Sequence, residues 1–249
     1  MMKRMKKKRR KTESAEIKIR LKIKRQDQAD TDSYMQEIDF VTIEQNMTVA
    51  TALETINREG SYRDVSGNPV APIAWECSCM QKKCGACAMV IDGVPRLACD
   101  SFLRDYKKEI TIEPLRKFPV IKDLMVDRAV LFSNLEKMKV WAVEDAAAKE
   151  QTLPDAYNSS RCLQCGCCLE VCPNFDPKGE FQGAAGFVPA ARLLVELSGE
   201  EQRELRENYK KYIYGGCGKS LACGTVCPAG IDVEHLLLRS NAVAFWGCR

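Results

Sequence analysis

The cysteines limit the possible fold and function of this chain more than any other feature. There are 14 of them in 249 residues, and most fall into three closely spaced groups. There is a single histidine, His235, which excludes a metal site built from several histidines. The basic amino terminus leads into a polar segment, and no run of about 18 apolar residues occurs in the sequence. We therefore expect a cytoplasmic chain, in which dense cysteines indicate metal or redox chemistry and not disulfides.

The first cysteine group has the spacing of a plant-type ferredoxin, C-x4-C-x2-C followed by a distant fourth cysteine. Three thiolates on one loop reach two irons only if the loop curls tightly, and Gly85 and Ala86 keep this loop small. The fourth cysteine lies beyond a predicted hairpin with an Asp92-Gly93 turn. A zinc site is the alternative, although zinc ribbons usually carry two separate C-x2-C pairs. The predicted ligands of this [2Fe–2S] cluster are Cys79, Cys84, Cys87 and Cys99.

The second and third groups both follow the bacterial ferredoxin run C-x2-C-x2-C-x3-C-P. The second reads CLQCGCCLEVCP at residues 162–173, and the third occupies residues 217–228 with Ser220 in place of its second cysteine. In a pair of such runs, the last cysteine of each ligates the other run's cluster. Pro173 favours this exchange, because it turns the preceding cysteine away from helical geometry.

Exchange of the last cysteines divides seven thiolates unequally between two clusters. Four thiolates suit a [4Fe–4S] cluster and three suit a [3Fe–4S] cluster, with weak ligation of a fourth iron by Ser220 left open. A structural zinc site is the alternative for both. The predicted ligands are Cys162, Cys165, Cys168 and Cys227 for the four-iron cluster, and Cys172, Cys217 and Cys223 for the three-iron cluster. Cys77, Cys167 and Cys248 receive no role.

Hydrophobic periodicity divides the chain at about residue 117. The first half shows the alternation of strands and one amphipathic helix, whereas the second half has helical spacing with cysteine loops between the helices. We therefore predict an α+β chain with a basic disordered tail at 1–15, a [2Fe–2S] domain at 16–117 and a helical domain with the other two clusters at 118–249. The predicted strands and hairpin span residues 16–25, 33–44, 88–99 and 109–115, and the predicted helical segments span 47–59, 121–144, 186–211 and 232–247.

Three clusters in one chain form a row of one-electron centres. The sequence contains neither the G-x-G-x-x-G pattern of a dinucleotide-binding fold nor a phosphate loop. We therefore expect a chain that relays electrons and has no substrate site of its own. Such a chain needs one partner for the two-electron chemistry and another at the far end of the row.

The cysteine runs, together with FPVIKDLMVD at 118–127 and CPAGIDV at 227–233, resemble the iron–sulfur subunit of succinate dehydrogenase and fumarate reductase. The resemblance covers nearly all of the chain after about residue 16. It implies a β-grasp, plant-type ferredoxin-like domain followed by an all-α bacterial-ferredoxin-like domain. It also implies a FAD-containing flavoprotein subunit beside the [2Fe–2S] cluster, and membrane anchor subunits with quinone, and in some members haem, beside the [3Fe–4S] cluster. The chain is then expected at the cytoplasmic face of the cell membrane, as a peripheral protein with no nucleic-acid partner.

Two positions depart from the ubiquinone-using members of the family that the chain resembles. Those members carry tryptophan shortly after the first Cys-Pro pair and histidine after the cysteine that opens the third group. This chain has PNFDPKGEF at 173–181 and Gly218. The resemblance therefore implies either a different quinone, for which we suggest menaquinone, or a quinone site built by the anchor subunits. The physiological direction, succinate oxidation or fumarate reduction, does not follow from the sequence.

Two other functions are weighed against this one. Iron–sulfur subunits of thiol-dependent fumarate reductases and heterodisulfide-reductase-like complexes share the two-domain start, but they usually continue into another cysteine-rich domain that this sequence does not show. A free multi-cluster ferredoxin is the other alternative. The eight Lys/Arg of residues 1–11 also allow two interpretations, a solvated disordered tail, which we favour, or attraction to anionic lipid.

Overall fold

The strands of the first half pair through their backbones into one five-stranded mixed sheet. Their alternating apolar side chains bury one face of this sheet. The strands are β1 (Ile17–Arg25), β2 (Tyr34–Thr42), β3 (Ala88–Ile91), β4 (Val94–Leu97) and β5 (Glu109–Glu113). Their order is β2-β1-β5-β3-β4, and β1 is antiparallel to β2 but parallel to β5. The computed structural model describes residues 16–141 and 153–247, so the predicted basic tail and Cys248 lie outside the described residues.

One helix, α1 (Val49–Glu59), packs on this sheet and completes a β-grasp arrangement. It begins after Thr48, whose hydroxyl accepts a hydrogen bond from the Thr51 amide at 3.1 Å, and it ends at Gly60, which has a φ of 61°. The helix buries Leu53 and its apolar neighbours against the sheet. The predicted β-grasp fold of the first half is confirmed.

Residues 121–128 form most of a short β-hairpin and its exit, and not the beginning of the predicted helix at 121–144. Asp123 turns the chain with a φ of 47°, and its carboxylate binds Arg25 of the first strand. Because this partner is distant in the sequence, the local helical spacing led to a wrong prediction here. The elements of this segment are β6 (Val120–Lys122), β7 (Met125–Val126) and α2 (Ala129–Met138).

Helices grouped around a long central helix make up the second half. They are α3 (Leu153–Ser160), α4 (Cys167–Val171), α5 (Gly183–Glu196), α6 (Gly199–Tyr209), α7 (Ala222–Thr225) and α8 (Val233–Trp246). The central helix α5 contacts α2, α3, α6 and α8. The predicted helices over 186–211, with their break at Ser198-Gly199, and over 232–247 are confirmed. Across residues 16–141 and 153–247, none of the helices combines the length and the hydropathy that a bilayer crossing requires.

The two halves share a continuous apolar core. Leu115 and Phe118, where the first half ends, belong to the same group of buried side chains as Leu169 and Phe175 of the second half. Leu124, in the turn of the β6–β7 hairpin, joins this group as well. The core of the first half therefore extends past residue 117, and the domain division at that residue stays a prediction.

Candidate iron–sulfur sites

The loop before β3 curls back on itself, as the predicted [2Fe–2S] site requires. Three of its residues have positive φ, a conformation that residues other than glycine rarely adopt. They are Met80, Lys82 and Gly85. The Lys82 amide donates a hydrogen bond to Cys99 Sγ at 3.3 Å, which joins the loop to the cysteine beyond the β3–β4 hairpin. The charges of Cys84 and Cys99 raise the pKa of Cys87, after the larger effect of burial, and the side chain of Cys84 hydrogen-bonds to Cys79. The structure therefore brings the four predicted cysteines together.

Backbone amides favour the thiolate form of Cys79 at the outer side of this loop. The amides of Gln81 and Lys83 donate to Cys79 Sγ at 3.3 and 3.2 Å and lower the pKa of this thiol to about 7. On the inner side, burial raises the pKa of Cys87 to about 12. A buried thiol of this kind becomes a thiolate only when a metal or another cation compensates its charge. The donor set therefore fits a cluster that faces amides on one side and the apolar core on the other.

The second cysteine run surrounds a cavity whose other walls are mostly small and apolar, including Ala184, Ala185 and Val188. Five cysteines line it: the four predicted ligands of the four-iron cluster, Cys162, Cys165, Cys168 and Cys227, and Cys223, which is predicted for the third site. Cys227 reaches this cavity from the third run, so the structure brings the exchanged cysteine to its predicted neighbours. Burial, together with the smaller effects of the charges of Cys165 and Cys227, raises the pKa of Cys162 to about 11. The four predicted ligands in this mostly apolar cavity are a donor set that fits a four-iron cluster, and Cys223 beside them belongs to the predicted donor set of the third site.

The third site gathers the remaining predicted cysteines. Burial raises the pKa of Cys223, and the nearby thiols of Cys172 and Cys217 raise it further. Cys172 leaves α4 with a φ of −71° and a ψ of 118°, the extended conformation that the following Pro173 favours. The structure therefore also places the second exchanged cysteine beside the other run.

The two runs share a backbone pattern as well as a cysteine spacing. In both, a residue with positive φ precedes the second position of the run, another follows it, and a short helix, α4 or α7, comes next. The residues with positive φ are Gln164 and Gly166 in the second run and Lys219 and Leu221 in the third. Ser220 is therefore the structural equivalent of Cys165, and it is exposed.

The three sites touch one another in sequence order. A Cβ on Gly85 of the first loop would lie 2.8 Å from Cys165 Cβ and 2.9 Å from the Leu163 carbonyl oxygen, so the first loop lies directly against the second run. The charge of Cys223 in turn raises the pKa of Cys168, after the larger effect of burial, which makes the second and third sites neighbours. Within the described ranges, no group of three or more Cys, His, Asp or Glu side chains is arranged around a single metal ion. This arrangement is compatible with cluster binding, because the thiolates of a cluster are distributed over several irons.

Cys167 and Cys77 lie near these sites but differ in exposure. Cys167 is fully buried, and its thiol donates a hydrogen bond to Cys165 that lowers the pKa of Cys165 to about 7. Cys77 is exposed. The spacing of the cysteines does not predict the Cys167–Cys165 contact. The contact depends on the backbone at the start of α4, where Gly166 has a φ of 87° and Cys167 is the first helical residue.

Sequence reasoning also missed two polar side chains beside the third site. Lys117 Nζ donates to the backbone carbonyl of Cys172. Asn174 donates to the Gly216 carbonyl at 2.9 Å, and its side chain occupies the space beside Gly218, where an added Cβ would lie 3.0 Å from its oxygen. Both departures noted in the sequence pointed to this place, because Asn174 lies in the segment 173–181 and Gly218 follows the first cysteine of the third run.

Comparisons with known proteins identify two cluster-binding domains in this chain. The family model described as a 2Fe-2S iron-sulfur cluster binding domain matches residues 20–133, and the model described as a 4Fe-4S dicluster domain matches residues 158–231. The succinate dehydrogenase iron-sulfur subunit of Bacillus subtilis (strain 168) is 33% identical over 90% of this chain and 91% of its own. The fumarate reductase iron-sulfur subunit of Escherichia coli O6:H1 is 29% identical over 68% of this chain and 72% of its own.

A solved structure shows the same fold. A chain of the Mycobacterium smegmatis Sdh1 complex in the apo form matches with a TM-score of 0.74 and 20% identity, covering 92% of this chain and 97% of that one. The predicted fold class and the resemblance seen in the sequence are confirmed. On the strength of the Bacillus relative, which it matches over nearly its whole length, this chain belongs to the family of succinate dehydrogenase and fumarate reductase iron–sulfur subunits.

Proposed function

We propose that this chain carries electrons one at a time between a FAD-containing flavoprotein subunit and membrane quinone, through a [2Fe–2S], a [4Fe–4S] and a [3Fe–4S] cluster. The observation that supports the relay is the continuous row of cysteine sites, in which Gly85 lies against Cys165 and Cys168 lies beside Cys223. When bound, the clusters supply one-electron redox chemistry that protein side chains lack.

The proposed role of the chain is to hold and shield these groups. The eleven predicted cysteines bind as thiolates, four at the first site, four at the second and three at the third. Amide donors at Cys79 stabilise negative charge on sulfur at the first site. The apolar walls of the second site, including Val188 and Ile231, exclude water and polar competitors.

The first site offers a surface for the flavoprotein. Gln81, Lys82 and Lys83 are exposed on the loop that carries Cys79 and Cys84, so only this thin polar rim separates the site from a docked partner. Electrons entering here would pass from the first site to the second and then to the third.

An aromatic patch beside the third run, where Lys219 lies over the Tyr214 ring, offers a surface for a membrane anchor subunit. The Tyr214 and Phe245 rings lie 4.4 Å apart between centroids, Lys210 lies over Phe245, and Trp246 is 77% exposed. Aromatic and basic side chains in one patch suit the boundary between a membrane and water. We therefore propose peripheral attachment at the cytoplasmic face of the membrane, with the quinone site supplied mainly by the anchor.

Purification of the full chain under gentle, anaerobic conditions tests this function. We expect a flavoprotein and a small membrane protein to co-isolate, and we expect about nine irons per chain, the sum for clusters of two, four and three irons. An iron content near two per chain, with bound zinc and no flavoprotein, would contradict the proposal.

A further inference from the structure

Gln164 lies between the first two cysteines of the second run and has a φ of 49°. Its side-chain Nε2 donates two hydrogen bonds, one to Cys162 Sγ at 3.3 Å and one to the Ala185 carbonyl oxygen at 3.1 Å. The second bond fixes the amide against α5, so the first bond is held in place and is not a transient surface contact.

The orientation of this amide follows from its partners. A thiolate sulfur and a carbonyl oxygen are both acceptors, so only the NH2 end of the amide satisfies them together. The opposite end, Oε1, is buried and has no hydrogen-bond partner among the described residues. An unpaired buried acceptor is unfavourable, so this geometry keeps the two donor contacts of Nε2 although Oε1 is left unpaired.

The third run provides an internal comparison. Lys219 occupies the position equivalent to Gln164, with a φ of 56°. Its ammonium group lies 5.7 Å from the centre of the Tyr214 ring, and its side chain is exposed. The structure therefore assigns a fixed amide donor to the first cysteine of the second run, whereas the equivalent residue of the third run is directed to an aromatic ring.

We propose that Gln164 is a positioning residue that raises the reduction potential of the four-iron cluster through its hydrogen bond to Cys162, an inference that rests on the proposed function. Reduction adds one electron to the cluster and makes its thiolate sulfurs more negative. A donor aimed at such a sulfur stabilises the reduced form more than the oxidised form. Cluster potentials depend on such hydrogen bonds, so the residue favours electron entry at the middle of the row.

The test is a redox titration of the purified complex, followed by the electron paramagnetic resonance signal of the reduced four-iron cluster. Gln164→Met keeps the length of the side chain but removes both donors. We expect the equilibrium constant for reduction to fall about tenfold, which is a potential about 59 mV lower for one electron. Gln164→Glu places a carboxylate beside the sulfur, and we expect a larger decrease. Lys219→Met is the matched control, and we expect it to leave this potential unchanged.

The outcomes separate the two proposals. A wild-type complex without a reduced four-iron signal would overturn the proposed function, and this inference with it. A normal wild-type signal with an unchanged potential in both Gln164 variants would overturn this inference alone. Loss of the cluster in both variants would also overturn it, because Gln164 would then be required for assembly and not for the potential.

Discussion

Arg25 and Asp123, 98 residues apart in the sequence, form a two-pronged ion pair with almost no exposure to solvent. Arg25 Nε lies 2.9 Å from Asp123 Oδ1 and Nη2 lies 3.2 Å from Oδ2, and the two side chains are 2% and 0% exposed. The carboxylate also accepts hydrogen bonds from the Gln26 and Ala74 amides at 3.1 and 2.8 Å. This pair therefore joins the first strand, the segment before the first cysteine loop and the β6–β7 turn.

Replacement of Asp123 by asparagine tests this junction. Asp123→Asn preserves the shape of the side chain but leaves the Arg25 charge buried without a counter-ion, and we expect a loss of about 3–5 kcal/mol in the free energy of unfolding. Denaturant titration of the cluster-loaded chain, followed by visible absorbance and circular dichroism, measures the loss. Asp39→Asn, which breaks an exposed pair with Arg20, is the control and is expected to change little. Equal effects of the two substitutions would contradict this account.

A methyl group at Gly85 tests the contact between the first loop and the second run. Gly85→Ala combines a positive φ, unfavourable by about 1–2 kcal/mol for an L-residue, with the overlap against Cys165, which adds about 1–3 kcal/mol. Gly93→Ala is the matched control, because Gly93 has nearly the same φ, 76° against 77°, and no atom within 4 Å of the added Cβ. Denaturant unfolding of both variants isolates the packing contribution. If the two are equally destabilised, the two loops do not touch.

The proposed ligand exchange predicts crossed effects of two cysteine substitutions. Cys172→Ala is expected to abolish the three-iron signal and to spare the four-iron cluster, although Cys172 belongs to the second run. Cys227→Ala is expected to do the reverse. Electron paramagnetic resonance of the oxidised and reduced protein distinguishes the two clusters. Cys77→Ala, at an exposed cysteine without an assigned role, is the control. Loss of the same signal in both variants would refute the exchange.

Ser220→Cys tests the equivalence of Ser220 and Cys165. A thiolate at this position completes the four-cysteine run, so we expect the iron content to rise by about one per chain. We also expect the oxidised three-iron signal to disappear, a reduced four-iron signal to appear, and the potential of this cluster to fall. Ser220→Ala is the control and should keep the three-iron cluster. Two four-iron clusters in the anaerobic wild-type protein would show that Ser220 or a water molecule already completes the site.

Much of the fold was predictable because its signals are local. The strand β1 alternates strictly, α1 has a threonine cap and a terminal glycine, and α6 begins at Gly199 after a short break that follows α5. The cysteine spacing likewise indicated which thiols the structure brings together, because loop curvature and the proline after Cys172 are encoded within a few residues.

The missed features depend on contacts between distant segments. The turn at Asp123 forms because of Arg25 and Ala74, and neither is near it in the sequence. The donor role of Gln164 depends on Ala185 in α5, which orients the amide. Glycine at position 85 looked like a means of keeping one loop small, but its closest potential overlap is with another loop. Periodicity and spacing contain no information of this kind.

The paired runs also have a consequence for the order of assembly. If the last cysteine of each run ligates the cluster of the other run, neither cluster has its full set of ligands until the two runs come together. This requires the segment between them, which contains α5 and α6, to fold first. Metal insertion would then act as a checkpoint on the maturation of the helical half. In a cell short of iron, the helical half would then stay open to proteases for longer than in a cell that supplies the clusters promptly.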